Sequence, residues 1–144
     1  MEEEVTSVTR SEIYEFLRKH RLAVVTTINP ASPQAAVVGI AVTETLDIIF
    51  DTLSTSRKYA NLRADPRVAL VAWDGAETVQ IEGVADIPSG ADLDACKRIY
   101  FEAWPDGPER ERWPDIAYVR VRPRWIRYSD FGQTPARIEE LKID

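Results

Sequence analysis

Histidine and cysteine are all but missing from this chain of 144 residues, each occurring once, as His20 and Cys96. A lone cysteine closes no internal disulfide, so a reducing, cytoplasmic setting is the expectation. A lone histidine argues against a catalytic triad or a multi-histidine metal centre, and no metal site is expected. His20 sits in "LRKHR" at the end of a helical pattern, where a cation complements the helix dipole. Positive charge is in deficit as well: 18 Lys and Arg face 24 Asp and Glu, a formal net charge of −6. Such a field repels nucleic acid and anionic membranes, so neither is expected as a partner. Long apolar runs are lacking too. None approaches a membrane span, and the acidic opening "MEEEVTSVTR" has no apolar core of the signal-peptide kind.

What is present is ordinary for a soluble globular protein, with 44% hydrophobic and 29% charged residues at a length that buries a real core. A single domain over residues 1–144 is expected, with residues 1–8 and 132–144 flexible or extended at its margins.

Residues 9–20, "TRSEIYEFLRKH", place Ile13, Phe16 and Leu17 at helical spacing behind a Thr9–Glu12 capping box. "RLAVVTTIN" (21–29) and "QAAVVGIAVT" (34–43) read as strands joined across "PASP". Gly39 inside the second marks a bulge or a close approach by another body. "TLDIIFD" (45–51) makes a third strand, and "SRKYANLRAD" (56–65) a short helix stopped before Pro66. "RVALVAW" (67–73) and "TVQIEGVADI" (78–87) are further strands, the latter alternating through Val79, Ile81 and Val84. A helix over 91–103, a proline-punctuated connection over 104–115 with one helical turn, and one or two strands around Pro123 over 116–130 complete the pattern. The early strands are joined by turns too short for crossover helices. The expected class is therefore mainly β with flanking helices (α+β), antiparallel, closing into a small barrel.

The chemistry concentrates in "DTLSTSRKYANLRADPRVALVAW" (51–73), where Ser56, Arg57 and Lys58 arrive together at a helix start. Free backbone N–H groups and the positive end of the helix dipole already draw an anion there. Two cations at that end oppose the dipole by ~0.3–1 kcal/mol each, a cost that a terminal phosphate would offset. Arginine supplies a planar fork for phosphate oxygens and lysine a compact charge. The ordinary alternative is that Ser56 caps the helix while Arg57 and Lys58 are solvated, and the residues alone slightly favour it.

This stretch, with "LAVVTTINPASPQAAVVGIAV" before it and "VQIEGVADI" after it, resembles the pyridoxamine 5′-phosphate oxidase-like flavoproteins, the FMN-binding split-barrel superfamily. The resemblance implies an antiparallel split β-barrel, FMN as cofactor, and a homodimer with the flavin in a groove at the subunit interface. It implies that Ser56, Arg57 and Lys58 hold the FMN phosphate, and that Asp51 and Thr52 lie beside the flavin or its ribityl chain. It further implies that the backbone of Val38, Gly39 and Ile40 runs along the isoalloxazine ring. Thr78, sharing a strand face with Gln80, stands where the family often carries a polar contact to the ring. Trp125 packs near the ring or in the core.

The second strand lacks the cations of the oxidases that form pyridoxal phosphate. "RYSDFGQTPAR" stands in place of their Arg-x-His motif, and Thr78 in place of the usual glutamine, so vitamin B6 oxidation is not expected. The expected function is an FMN-dependent oxidoreductase acting on an unidentified small molecule, similar to the small general-stress members, with no catalytic residue assigned. The alternatives are a non-catalytic flavin-binding, stress-related protein and a reductase that uses the deazaflavin coenzyme F420, whose branch "RKYANLRADPR" also resembles. Asp92 with Asp94 and Glu109 with Glu111 are read as solvated charges, and the string Arg120, Arg122, Arg124 and Arg127 as partners for the acidic surplus. The alternative for the first three, which share one strand face, is contact with phosphate or the partner subunit. The four tryptophans are read as core and dimer contacts.

Overall fold

In the computed structural model, which describes residues 8–143, the first helix obeys its local signals. α1 (Arg10–Lys19) starts at Thr9, whose hydroxyl accepts from the Glu12 amide at 3.1 Å while the Glu12 carboxylate accepts from the Thr9 amide at 3.4 Å. This reciprocal cap satisfies two donors that the helix start leaves open. The helix buries Ile13, Phe16 and Leu17, and His20 caps its far end. Residues 1–7 of the acidic opening lie outside the described residues, and Val8 is already buried in the core.

Among the described residues the strands form one eight-stranded antiparallel sheet. β1 (Leu22–Asn29) and β2 (Ser32–Gly39) make a hairpin, in register from Leu22↔Gly39 to Asn29↔Ser32. The second predicted strand divides at Ile40, where β3 (Ala41–Val42) leaves β1 and pairs with β4 (Ile48–Leu53). β4 starts later than residue 45 because Leu46 occupies a turn at φ +70° with its side chain in the core. β5 (Arg67–Asp74), β6 (Glu77–Asp86) and β7 (Ile116–Asp130) extend the sheet in the order β2-β1-β5-β6-β7-β4-β3. Its two ends, β2 and β3, are one bent stretch of chain, so the sheet curls back on itself. The antiparallel split barrel expected from the sequence is the observed architecture.

β7 is a single strand of 15 residues rather than two. It pairs with β4 over Ile116–Val121 and then with β8 (Arg137–Lys142) over Trp125–Asp130. Pro123 falls between these two partners, where a missing amide donor costs least. β8 accounts for the tail that the sequence pattern left without a regular element. Where β6 meets β7 the register shifts between Glu82 and Gly83. A Cβ on Gly83 would stand 2.4 Å from the Arg122 carbonyl oxygen, so only glycine lets the two backbones meet there. Ala85, not Val84, is the buried residue beyond that point.

Val25, Phe50, Leu70, Ile81, Val119 and Ile126 belong to the main core, which α1 closes. Burial of each such side chain is worth roughly 1.5–3 kcal/mol. The alternate residues of β4 and β7 face the other way. There α3 (Gly90–Ala103) packs Cys96 and Tyr100 against Ala41, Ile49 and Tyr118. Burial pushes the Cys96 thiol above its ordinary range, which makes it a packing residue rather than a nucleophile. α4 (Gly107–Arg110) is the single turn anticipated in the proline-rich connection. None of the four tryptophans is in the core: Trp73 and Trp113 are exposed, while Trp104 and Trp125 are half-buried. Among the described residues no helix is long and apolar enough to cross a membrane.

Candidate anion site

The turn after β4 is organised by hydroxyls. Thr52, buried, and Ser56 lie 3.0 Å apart through their side-chain oxygens, and Ser56 also accepts from the Tyr59 amide at 3.3 Å. Ser56 thereby caps α2 (Arg57–Ala64), whose first turn holds no acidic residue. Adjacent helical residues point about 100° apart, yet Arg57 and Lys58 both line one hollow of about 120 Å³. β1 contributes Val25 and Thr27 to it, and β2 contributes Gln34, Ala35 and Ala36. The hollow is large enough to take a phosphate group. Among the described residues neither cation reaches a carboxylate within salt-bridge distance. Partial burial pulls the Lys58 ammonium below the ordinary lysine range, with Asp51 opposing.

A polar contact absent from the sequence reading holds this hollow together. The Asn61 amide nitrogen, buried, donates to Thr27 Oγ1 at 3.0 Å and to Gln34 Oε1 at 2.9 Å. Asn61 follows Arg57 by four residues and Lys58 by three, the spacing of one helix face, so a signal for it existed. Its partners on β1 and β2 had none.

Other predicted residues are claimed by neighbours within the chain. The Asp51 carboxylate accepts from Arg110 Nε at 2.8 Å, a pair whose side chains are only 15% and 19% exposed. Arg110 also reaches Asp106 at 2.6 Å. Burial alone would lower the Arg110 guanidinium, but these two carboxylates more than reverse it. Gly39 does mark a close approach, and the approaching body is Trp104: a Cβ at Gly39 would lie 2.6 Å from its indole. Trp104 Nε1 donates to the Ile40 carbonyl at 2.9 Å, and the Tyr100 hydroxyl donates to the Gly39 carbonyl at 3.4 Å. Val38 is buried in the core. Burial, reinforced by Asp51, raises Tyr100 far above the usual phenol range. The same cause pushes Tyr118 up to about 12, and its hydroxyl is buried with no hydrogen-bond partner.

Thr78 and Trp125 lie elsewhere. They line a shallow hollow of about 430 Å³ on the outer face of the sheet, together with Val24, Val71, Gln80 and Phe131. Arg127 covers the Trp125 ring at 5.4 Å and bonds Glu140. Within one chain the predicted ligand residues thus fall into three groups: the cation hollow, the Asp51–Gly39 cluster under α3 and α4, and this outer face. A larger hollow of about 500 Å³, between α1, the β3–β4 turn and α3, holds none of them. It mixes Arg18 and Arg21 with Glu44 and Glu102. Of the arginine string, Arg120 is spent on Asp86, with both bonds at 2.9 Å, as a salt-bridging role requires.

Comparison with known proteins agrees with this architecture. A family model for pyridoxamine 5′-phosphate oxidase matches residues 9–130. No curated protein sequence matches the chain. Among solved structures, a heme binding protein from Mycobacterium smegmatis superposes with a TM-score of 0.80 at 19% identity. That superposition covers 96% of this chain, which spans 60% of the Mycobacterium smegmatis protein. A conserved hypothetical protein from Mycobacterium tuberculosis matches with a TM-score of 0.74 at 26% identity, over 92% of this chain and 94% of that one. General Stress Protein 26 from Bacillus anthracis matches with a TM-score of 0.71 at 18% identity, over 93% and 98%.

Proposed function

The chain belongs to the pyridoxamine 5′-phosphate oxidase-like family of split-barrel proteins, and on that premise we propose that it binds FMN by the phosphate and acts as a flavin-dependent oxidoreductase on a small molecule. The observation that carries this reading is the convergence of Arg57 and Lys58 on one hollow, large enough for a phosphate group, that offers them no carboxylate. Free cations at a helix start are unfavourable by themselves, and an anion offsets both. When bound, FMN supplies the redox chemistry, while the chain supplies binding and orientation. Ser56 holds the helix start, and Arg57 and Lys58 neutralise the phosphate.

Among the described residues, Trp104 and Tyr100 fill the space beside Gly39 and Ile40, so the ring would not lie there within one chain. A homodimer answers this. The outer face with Thr78 and Trp125 carries apolar area, including Phe131 at 61% exposure, that a second copy would cover while closing the flavin groove.

The test is the spectrum of the purified protein. Flavin bands, with FMN as the species released on denaturation, are expected, along with a dimer in sedimentation and flavin reduction by NADPH or NADH followed by reoxidation with an acceptor. Titrations with the deazaflavin coenzyme and with heme are the competing arms, heme because a structural neighbour carries that name. Saturable binding of either one, with none of FMN, overturns the assignment. Tight FMN binding without turnover would leave a flavin-binding protein.

A further inference from the structure

We infer that the hollow between α1, the β3–β4 turn and α3 binds a short apolar peptide with free ends. Arg18 and Arg21 take its carboxylate, Glu44 and Glu102 its ammonium group, and the open edge of β3 at Val42 its backbone. The site is separate from the Arg57–Lys58 hollow and does not rest on the phosphate reading.

The charges carry the first part of the argument. Two cations and two carboxylates line this space of about 500 Å³. Among the described residues none of the four lies within salt-bridge distance of an opposite charge, although both signs border one hollow. Glu102 stands in the last turn of α3, which holds no basic residue, so its carboxylate works against the helix dipole. A ligand ammonium would offset that. Arg21 is held ready: its guanidinium lies over the Trp104 ring at 5.3 Å and donates to the Ala103 carbonyl. Most of its five N–H donors stay free. Glu44 projects from a turn fixed by Thr43, whose hydroxyl accepts from the Asp47 amide at 3.0 Å and meets the Thr45 hydroxyl at 3.0 Å. Charges already held in place lose little freedom when a ligand arrives. Separate groups of both signs suit a zwitterion and repel a simple anion or cation from one side.

The sheet edge makes the zwitterion a peptide. β3 stands last in the strand order and pairs only with β4. The Thr43 amide donates to the Asp47 carbonyl at 2.9 Å, which makes Thr43 and Asp47 a hydrogen-bonded pair. In an antiparallel ladder such pairs alternate, so Val42, opposite Ile48, is a non-bonded position and turns its N–H and C=O away from β4. Val42 lines the hollow although its side chain belongs to the main core, so what it presents there is this backbone pair. The central residue of a tripeptide carries the complementary donor and acceptor. Leu17, Ile99 and Ala103 supply an apolar surface for its side chain.

Isothermal titration calorimetry of the full chain with the tripeptide alanyl-leucyl-alanine, near neutral pH, tests this. Saturable binding is expected. Acetylating the amine or amidating the carboxylate should each weaken it at least about threefold. N-methylating the central leucine, which removes the amide proton, should weaken it by at least about threefold as well. Two variants assign the ends. Glu102→Gln should weaken the free tripeptide and leave the acetylated one unchanged, and Arg21→Gln should weaken the free tripeptide and leave the amidated one unchanged. Thermal unfolding checks that each variant folds. Because Arg21 also braces Ala103 and Trp104, Arg18→Gln repeats the second comparison in a chain that keeps those contacts. No saturable binding of the tripeptide overturns the inference. Equal affinity for the free and the doubly capped peptide overturns it too, as do variants that weaken free and capped peptides alike.

Discussion

Replacing Arg57 and Lys58 together by alanine separates what these cations do for a ligand from what they do for the fold. In the free protein they contribute little to stability. The first turn of α2 holds no acid, so each cation opposes the helix dipole by ~0.3–1 kcal/mol. Lys58 is further disfavoured by partial burial, which holds its ammonium below the ordinary range. Packing of its methylene stem pulls the other way by a similar amount, so the double variant should lie within about 1 kcal/mol of the parent. For FMN the sign is plain. A hydrogen bond to a charged group is worth ~1.5–3 kcal/mol, with the lower end for Arg57, whose side chain is exposed. The two together give about 3 kcal/mol or more, which at ~1.4 kcal/mol per factor of ten is at least a roughly hundredfold loss. Quenching of flavin fluorescence reads the affinity, and thermal unfolding of the ligand-free protein reads the stability. Riboflavin serves as the control that ignores the phosphate. FMN affinity that stays put in a variant with a normal melting curve would refute the phosphate assignment. A large loss of stability would refute the claim that the fold does not need these two residues.

Three other outcomes follow from the packing. Gly39→Ala drives a methyl group into the Trp104 indole, which is tethered to the Ile40 carbonyl. It should cost ~1–3 kcal/mol in chemical denaturation, and Trp104→Leu in the same chain should restore part of it. Arg110→Met strands the largely buried Asp51 carboxylate and should cost about 2–3 kcal/mol, less than a fully dry pair because some water reaches both groups. Adding Asp51→Asn should recover most of that loss, and a double-mutant cycle reads it. Burial raises the folded-state pKa of Tyr118 to about 12 from an ordinary value of 10.0, and raises Tyr100 as well. The unfolded chain therefore holds fewer protons than the folded one above pH ~10, so the stabilisation present below that pH should drain away as the pH climbs toward 12. Tyrosinate absorbance that titrates entirely at the ordinary phenol pKa without unfolding would contradict it.

Much of the fold was legible in the chain because its signals are local. The Thr9–Glu12 cap, the Ser56 cap and the proline after α2 act over three or four residues and need no tertiary partner. The β-branched runs and their short turns likewise dictated antiparallel neighbours. Gly83 was visible within "EGVADI", though not the reason for it, which is the β7 backbone at 2.4 Å. The miss at Leu46 has the same character. An apolar residue before a strand reads as strand, and only its place in the core explains a left-handed backbone there.

The sequence by itself determined the sheet-forming segments, the caps and the placing of two cations at a helix start. The tertiary structure decided who meets whom. It sent Arg110 to Asp51 across 59 positions and Trp104 to Ile40 across 64, and it brought Asn61 to Thr27 and Gln34 on a hairpin about half as far back in the chain. It also split one edge of β7 between β4 and β8. Periodicity and capping are set by a residue and its near neighbours, whereas these contacts depend on the path by which the sheet curls. That path is settled by burial of the whole core at once, and no short window of sequence contains it.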